Sequence, residues 1–279
     1  MRNWLRRFSS FQRKTDASAV RSPAGLAANH VVQDVKNHYD MLTPTYCSTY
    51  GDVIQAYRPS NVEDLLIHEL EASGLQDGMK ILDAGCGVCG PAIWFASHRD
   101  VLVEAITISP VQAELAKRAV ANSGLEHKIN VQQGDYHNID SLFPSEIFDR
   151  VLFLESLCHA EDYRQVLAGA GKVLKPDGLI YIKDFVALDY HDQPEKQRLL
   201  EEGMSFMCKE YSVAFPRRVD LLGVLDELSF QVNSVRAIPM DGDFTAWYAF
   251  EDIVGFQWRK NTSVQLVENI EIVASIRNP

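Results

Sequence analysis

The chain has 279 residues, of which 46% are hydrophobic and 23% charged, a composition typical of one large globular domain or of a core domain with an added cap. It contains no run of 18 apolar residues, so the sequence predicts no transmembrane segment. The formal net charge of −11 argues against a nucleic-acid partner, because binding a polyanion needs clustered positive charge.

The first part of the chain, residues 1–30, differs in charge from the rest. Up to residue 22, six basic residues stand against Asp16, which gives +5 and leaves −16 for the remainder of the chain. Four apolar residues in it fall at helical spacing: Trp4, Leu5, Phe8 and Phe11. We interpret residues 1–30 as a basic tail or helix. A frayed end, an interfacial amphipathic helix that mediates homo-oligomer formation or membrane contact, and a transit-like segment remain open.

The five cysteines are odd in number and scattered, unlike the dense framework of a small secreted domain. We therefore expect reduced thiols and a cytoplasmic location.

Helical patterns dominate residues 31–75, where Asn61 is a candidate N-cap and Gly74 a candidate helix end. From residue 79 onward, short apolar runs alternate with helices of ten to fifteen residues, which predicts βαβ units and a mostly parallel sheet. We divide the chain into a helical lid at 31–75, a core domain at 76–240 and an aromatic, helical extension at 241–279. Residues 262–279 are expected to form a helix followed by frayed end residues.

A glycine-rich stretch, DAGCGVCG at residues 83–90, follows the first predicted strand. Glycines there let the chain turn with positive φ and let a ligand approach the backbone closely. Cys86 and Cys89 also suggest a dithiol or a zinc site. A zinc site needs about four ligands, however, and the sequence has no second Cys/His pair at metal spacing. We interpret the two cysteines as small residues of a cofactor loop and predict no metal.

These motifs resemble, in order, those of class I S-adenosylmethionine-dependent methyltransferases. Four motifs occur in the same order as in that family: the glycine loop, GDYHNI at 134–139, FDRVLFLES at 148–156 and VLKPDG at 173–178. The resemblance implies a Rossmann-like, mostly parallel seven-stranded α/β sheet with helices on both faces, an N-terminal helical lid and small cap insertions. It also implies S-adenosylmethionine as cofactor, with the following binding residues: Asp83, Gly85, Cys86, Gly87, Thr107, Ile108, Gln112, Asp135, Tyr136 and Leu154.

One departure from the general pattern indicates a branch. Thr107 stands where the second strand usually ends in an acid, and TISPVQ at 107–112 resembles the sterol and prenyl diphosphate C-methyltransferases. In that branch a helix glutamine, here Gln112, can take over ribose contacts. The alternative is an ordinary polar helix residue.

The segment FLESLCHA at 153–160 resembles sterol C-methyltransferases at the same point and makes Glu155 and His159 the candidate catalytic residues. Methyl transfer to an alkene carbon creates a carbocation, which a nearby carboxylate stabilises and can deprotonate. Alternatively, Glu155 caps a helix or pairs with an arginine.

Aromatic residues flank the core and favour a lipophilic small-molecule acceptor. The resemblance to the sterol and prenyl branch implies that this acceptor is a terpenoid, prenyl or sterol-like alkene. The candidate substrate-binding residues are Tyr39, Tyr46, Tyr50, Phe185 and Trp247. A diphosphate would want cations such as Lys209, Arg217 and Arg218, yet no acidic metal pair stands out. The alternatives are an O- or N-methyltransferase of secondary metabolism and a catalytically inert binding subunit.

Overall fold

The computed structural model describes residues 32–238, 242–255 and 264–277. The predicted basic segment at residues 1–30 lies outside the described residues, as do Phe256 and Trp258 of the late aromatic stretch.

A seven-stranded sheet forms the centre of the molecule, in the order β3-β2-β1-β4-β5-β7-β6. Strands β1 to β5 pair in parallel, whereas β7 runs antiparallel to both β5 and β6. The bounds are β1 Lys80–Ala84, β2 Leu102–Thr107, β3 Ile129–Gln133, β4 Phe148–Leu154, β5 Leu174–Ala187, β6 Phe230–Ile238 and β7 Val267–Ile276. The predicted fold class is confirmed.

Helices cover both faces of this sheet. They are α1 Val32–Tyr50, α2 Val62–Ala72, α3 Gly90–His98, α4 Pro110–Asn122, α5 Ile139–Leu142, α6 Tyr163–Val173, α7 Pro194–Tyr211, α8 Arg218–Glu227 and α9 Thr245–Val254. The predicted cap at Asn61 is confirmed, because its side chain accepts a hydrogen bond from the Glu63 amide. Gly74 follows the end of α2 with φ +63°.

The core lies in two layers, one on each sheet face. Val151, Phe153 and Ile182 belong to the layer beneath α6 and α8, and Ile81, Phe95 and Leu152 to the layer beneath α2 and α3. A third, aromatic cluster joins α1, α7 and α9 beyond the carboxyl end of β5. Strand order reverses between β1 and β4, which places the ligand crevice of such a sheet at the carboxyl ends of these strands.

The expectation of a helix within residues 262–279 is wrong, because residues 267–276 form β7. Ile270, Ile272 and Ala274 are fully buried on one face of the strand, as period-two alternation requires. The opposite face is also buried but carries Asn269 and Glu271. Because of these polar residues, the sequence lacks the continuous apolar run expected of a strand buried on both faces. The motif VLKPDG begins with the last residue of α6, and its other residues form the irregular start of β5, where pairing with β4 shifts between Phe148 and Arg150.

Candidate active site

The glycine loop connects β1 to α3 in a conformation that needs glycine. Gly85 has φ +94°, and a Cβ atom there would lie 2.5 Å from the Cβ of Ser156. Gly87 has φ +54° and open space around it. The loop therefore presents bare backbone at the carboxyl edge of the sheet.

The two cysteines of the loop are free thiols with different positions. Cys86 borders the cleft above the loop, and Cys89 is fully buried with φ +69° at the N-cap of α3. A hydrogen bond with the Cys89 thiol, together with burial, raises the pKa of Cys86 well above its usual value. This environment suits packing residues of a loop rather than reactive thiols.

A third glycine, Gly90, lets the segment between α1 and α2 pack closely on the start of α3. A Cβ atom on Gly90 would lie 2.1 Å from the Asp52 carbonyl oxygen, so residues 52–57 can approach α3 only because this position has no side chain. We call residues 52–57 the closing segment.

The ends of β2 and β3 supply the polar side of the cleft. The Thr107 hydroxyl donates to Gln112 Oε1 at 2.7 Å, which fixes the glutamine on the first turn of α4. Asp135 accepts from the His137 amide at 2.9 Å and pairs with its ring Nδ1 at 2.6 Å. Burial alone would raise the pKa of Asp135, but the bonds from His137 lower it below its usual value. An ionised acceptor therefore stands at the end of β3.

Asp83, the fourth residue of β1, also borders the cleft and is 3% exposed. Burial raises its pKa to about 7. A cationic ligand group beside it would favour the ionised form.

These groups line one cleft of about 840 Å³, open to solvent. All ten residues predicted to bind the cofactor border it: Asp83, Gly85, Cys86, Gly87, Thr107, Ile108, Gln112, Asp135, Tyr136 and Leu154. The cleft thus has the size of a nucleotide-type ligand, glycine backbone at one side and acidic or amide groups along the strand ends.

A second cavity, of about 660 Å³, adjoins the cleft and is mainly apolar. Its aromatic walls include Tyr46, which stacks on Phe250 with ring centroids 4.2 Å apart, and Trp247, whose Nε1 donates to the Tyr211 hydroxyl at 3.0 Å. All five predicted substrate residues border it: Tyr39, Tyr46, Tyr50, Phe185 and Trp247.

No Lys or Arg borders this apolar cavity within the part of the chain that the structure describes. Arg217 binds Asp220, with its Nε 2.7 Å from Oδ2, and Lys209 is exposed beside Glu210. The cations considered for a diphosphate thus lie elsewhere.

The two cavities share four residues: Tyr39, Ile54, Glu155 and His159. His159 Nδ1 donates to the Ser212 carbonyl at 2.8 Å, so in the neutral ring Nε2 is the acceptor for the Tyr39 hydroxyl at 2.8 Å. A proton acceptor with a fixed tautomer therefore lies at the junction.

Glu155 follows β4 with φ +52°, a strained conformation for a residue with a side chain. Its carboxylate accepts from the amides of Ala56 at 2.6 Å and Tyr57 at 3.1 Å. It also binds Lys183 Nζ at 2.5 Å, in a pair whose side chains are 5% and 1% exposed. Among the residues that the structure describes, Glu155 thus neither caps a helix nor pairs with an arginine, the two alternatives considered above.

Reasoning from the sequence did not identify Lys183, Gln55 or Glu69. Gln55 accepts from Lys183 Nζ at 2.7 Å and donates to Glu69 Oε2 at 3.2 Å, and Glu69 is fully buried. A signal for Lys183 existed, because a lysine and an aspartate interrupt the apolar run LIYIKDFVAL of β5.

Comparison with known proteins decides the family. Residues 28–217 match a family model described as mycolic acid cyclopropane synthetase, which is more than half of the chain. The chain belongs to this family. The resemblance to class I S-adenosylmethionine-dependent methyltransferases, in the sterol and prenyl branch, is thereby confirmed.

Curated relatives agree with that assignment. A sterol 24-C-methyltransferase of Aspergillus fumigatus is 34% identical over 53% of this chain and 40% of its own length. A 24-methylenesterol C-methyltransferase of Arabidopsis thaliana is 30% identical over 67% of this chain and 54% of its own length. The chain thus spans about half the length of these relatives.

Solved structures share the fold. The [4+2]-cyclase SpnF superimposes with a TM-score of 0.75 at 18% identity, covering 91% of this chain and 99% of that one. A geranyl diphosphate methyltransferase solved with its diphosphate and sinefungin gives 0.69 at 15% identity, covering 88% and 98%. At these identities the likeness supports the architecture.

No group of three or more His, Cys, Asp or Glu side chains in ranges 32–238, 242–255 and 264–277 is arranged to hold a metal ion. Over those same ranges, each helix falls short of the length and apolar character needed to cross a bilayer.

Proposed function

We propose that the protein is an S-adenosylmethionine-dependent methyltransferase that methylates an alkene carbon of a lipophilic, isoprenoid or sterol-like acceptor. The observation that carries the proposal is the junction of a cofactor-sized cleft with an aromatic cavity at Glu155, His159 and Tyr39. The curated C-methyltransferase relatives support the same chemistry.

The residues present fit the cofactor. Gly85 and Gly87 offer bare backbone, Asp135 and Gln112 offer hydrogen-bond acceptors, and Asp83 offers a carboxyl group suited to a cation. When bound, S-adenosylmethionine supplies an activated methyl group, and an alkene that accepts it becomes a carbocation.

Residues of this chain can stabilise that carbocation and accept the proton that it loses. Glu155 places negative charge at the junction, beside a mainly apolar cavity, where it stabilises developing positive charge. Aromatic faces of Tyr39 and Tyr46 contribute in the same way. The proton lost afterwards passes to His159 Nε2, directly or through the Tyr39 hydroxyl.

The lining of the apolar cavity favours a neutral acceptor over a diphosphate. Its described residues supply phenol hydroxyls and the Glu155 carboxylate but no Lys or Arg. An anionic diphosphate buried there would meet no countercharge from these described residues.

A second function is O- or N-methylation of a small secondary metabolite. The His159–Tyr39 pair favours it, because an acceptor for the proton of a hydroxyl or amine lies at the junction. We also infer a cytoplasmic location, supported by five free cysteines, and keep association through residues 1–22 as a proposal.

The test is methyl transfer from labelled S-adenosylmethionine to a panel of a side-chain-unsaturated sterol, geraniol, geranyl diphosphate and a phenol, with products located by mass spectrometry and NMR. We expect carbon methylation of a neutral isoprenoid. Glu155→Gln should slow it about a hundredfold at saturating cofactor, because one charge at the junction is lost.

Glu114→Gln, on the exposed surface of α4, is the control and should match the parent. Products methylated only on oxygen or nitrogen would favour the second function. Parent-like turnover by Glu155→Gln would remove the carbocation role.

A further inference from the structure

Buried within the fold, Lys183 has all three of its ammonium hydrogens engaged. Nζ donates to Glu155 Oε1 at 2.5 Å, to Gln55 Oε1 at 2.7 Å and to the Tyr57 carbonyl at 2.9 Å. Two of these three acceptors belong to the closing segment and the third is the junction carboxylate. Lys183 itself borders neither cavity.

Glu155 binds the same segment from the other side of the pair. Its Oε2 accepts from the Ala56 amide at 2.6 Å and its Oε1 from the Tyr57 amide at 3.1 Å. The ion pair therefore contacts residues 55–57 through two amide donors, one backbone carbonyl and one side-chain amide. Charge-assisted hydrogen bonds of this kind are about twice as strong as neutral ones.

The closing segment forms a wall of both cavities. Asp52, Ile54 and Gln55 border the cofactor cleft, and Ile54 and Ala56 border the apolar cavity. It packs directly on the start of α3, where Gly90 admits the Asp52 carbonyl. A displacement of residues 55–57 would therefore open the cleft and, at the same time, shift the Glu155 carboxylate.

We propose that Lys183 is a positioning residue that holds the closing segment over bound cofactor and, through the same hydrogen bonds, fixes Glu155 at the junction. This rests on the proposed function. It predicts that cofactor retention and the placement of Glu155 depend on one buried cation rather than on independent contacts.

The opposite interpretation is a buried ion pair that only contributes to folding. Removing one partner of such a pair is destabilising, whereas removing both is often tolerated, because no unpaired charge is left buried. Loss of stability after replacing Lys183 alone therefore cannot distinguish the two interpretations, and the experiment needs a second variant.

The experiment compares the parent with Lys183→Met and with the double variant Lys183→Met/Glu155→Gln. Dissociation of S-adenosylhomocysteine is followed by stopped flow, exchange of the peptide spanning 52–57 by hydrogen-exchange mass spectrometry, and stability by thermal unfolding. The exchange measurement is made with and without S-adenosylhomocysteine.

We expect Lys183→Met to release S-adenosylhomocysteine about tenfold faster or more and to exchange the 52–57 amides faster, since charge-assisted bonds to the segment are lost. The double variant should regain thermal stability but still release S-adenosylhomocysteine fast, because the bonds from Lys183 to Gln55 and to the Tyr57 carbonyl stay lost. Lys175→Met is the matched control on the same strand, because Lys175 pairs with Asp149 far from the site. This variant should release S-adenosylhomocysteine at the same rate as the parent.

Parent-like dissociation and exchange in Lys183→Met overturn the positioning role. So does a double variant that regains slow dissociation along with stability. If the parent itself fails to bind S-adenosylhomocysteine, the proposed function fails, while the exchange of residues 52–57 without ligand still decides the role of Lys183.

Discussion

We expect Asp83 to make cofactor affinity depend on pH in the neutral range. Its pKa is raised to about 7 by burial, so near neutral pH about half of the molecules carry an uncharged side chain there. S-adenosylmethionine carries an ammonium and a sulfonium, and a cation in the cleft lowers the pKa of a nearby carboxyl group. Binding should therefore release a proton, and affinity should rise with pH up to about 7.

The size of the effect follows from that pKa. If only the ionised form binds well, the apparent Kd is about 33 times its limiting value at about pH 5.5 and about 1.3 times at about pH 7.5. Affinity should thus improve about 25-fold over this range, or about 1.9 kcal/mol, below the titration of the ligand's own α-amino group near pH 8.

Isothermal titration calorimetry in buffers of different ionisation enthalpy measures both quantities. Near pH 7 about half a proton should be released per cofactor bound. Asp83→Asn should bind more weakly and with a flat pH profile, whereas Glu114→Gln, outside the cleft, should keep the parent profile. An unchanged parent Kd between about pH 5.5 and 7.5 would refute the reasoning.

Two further predictions concern stability, both measured by urea unfolding. Gly85→Ala should lower the free energy of unfolding by roughly 2 kcal/mol or more, because the new Cβ atom combines positive φ with a 2.5 Å approach to Ser156. Gly87→Ala is strained but has no clash and should cost about 1 kcal/mol. Equal losses of stability would contradict the close packing of Gly85 on Ser156. Burial raises the pKa of Glu69 from 4.5 to about 7. Protonated Glu69 therefore contributes about 3 kcal/mol to the free energy of unfolding, which is fully present below about pH 4.5 and is lost as the pH rises towards 7. Glu69→Gln should therefore gain stability over the parent as pH rises through this range, and a constant difference would contradict the buried, protonated state.

Much of the fold and of the cofactor cleft could be predicted because short-range signals determine them. A strand followed by DAGCG specifies backbone geometry by residue type alone, since Gly85 and Gly87 both have positive φ. Parallel strands then bring their carboxyl ends to one edge, so motifs distant in sequence, such as Gln112 and Asp135, border one cleft. Strand β7 escaped prediction because its polar face is buried by partners remote in sequence, such as Tyr181, whose hydroxyl donates to Glu271 at 2.6 Å.

The environment of Glu155 was beyond sequence reasoning for the same reason. The segment FLESLCHA indicates a carboxylate near the junction, and the structure agrees on its position. Its partners, however, come from 28 residues downstream and from about 98 residues upstream, and no local pattern links them. Both carboxylate oxygens already accept hydrogen bonds, and the Lys183 ammonium lies 2.5 Å away, so the partners of Glu155 hold its side chain in a fixed place. The Tyr39 hydroxyl lies 2.8 Å from His159 Nε2 and can act as acceptor instead of donor when that nitrogen carries a proton. We therefore propose separate roles for these groups: charge stabilisation by Glu155, positioned by Lys183, and proton acceptance by the His159–Tyr39 pair.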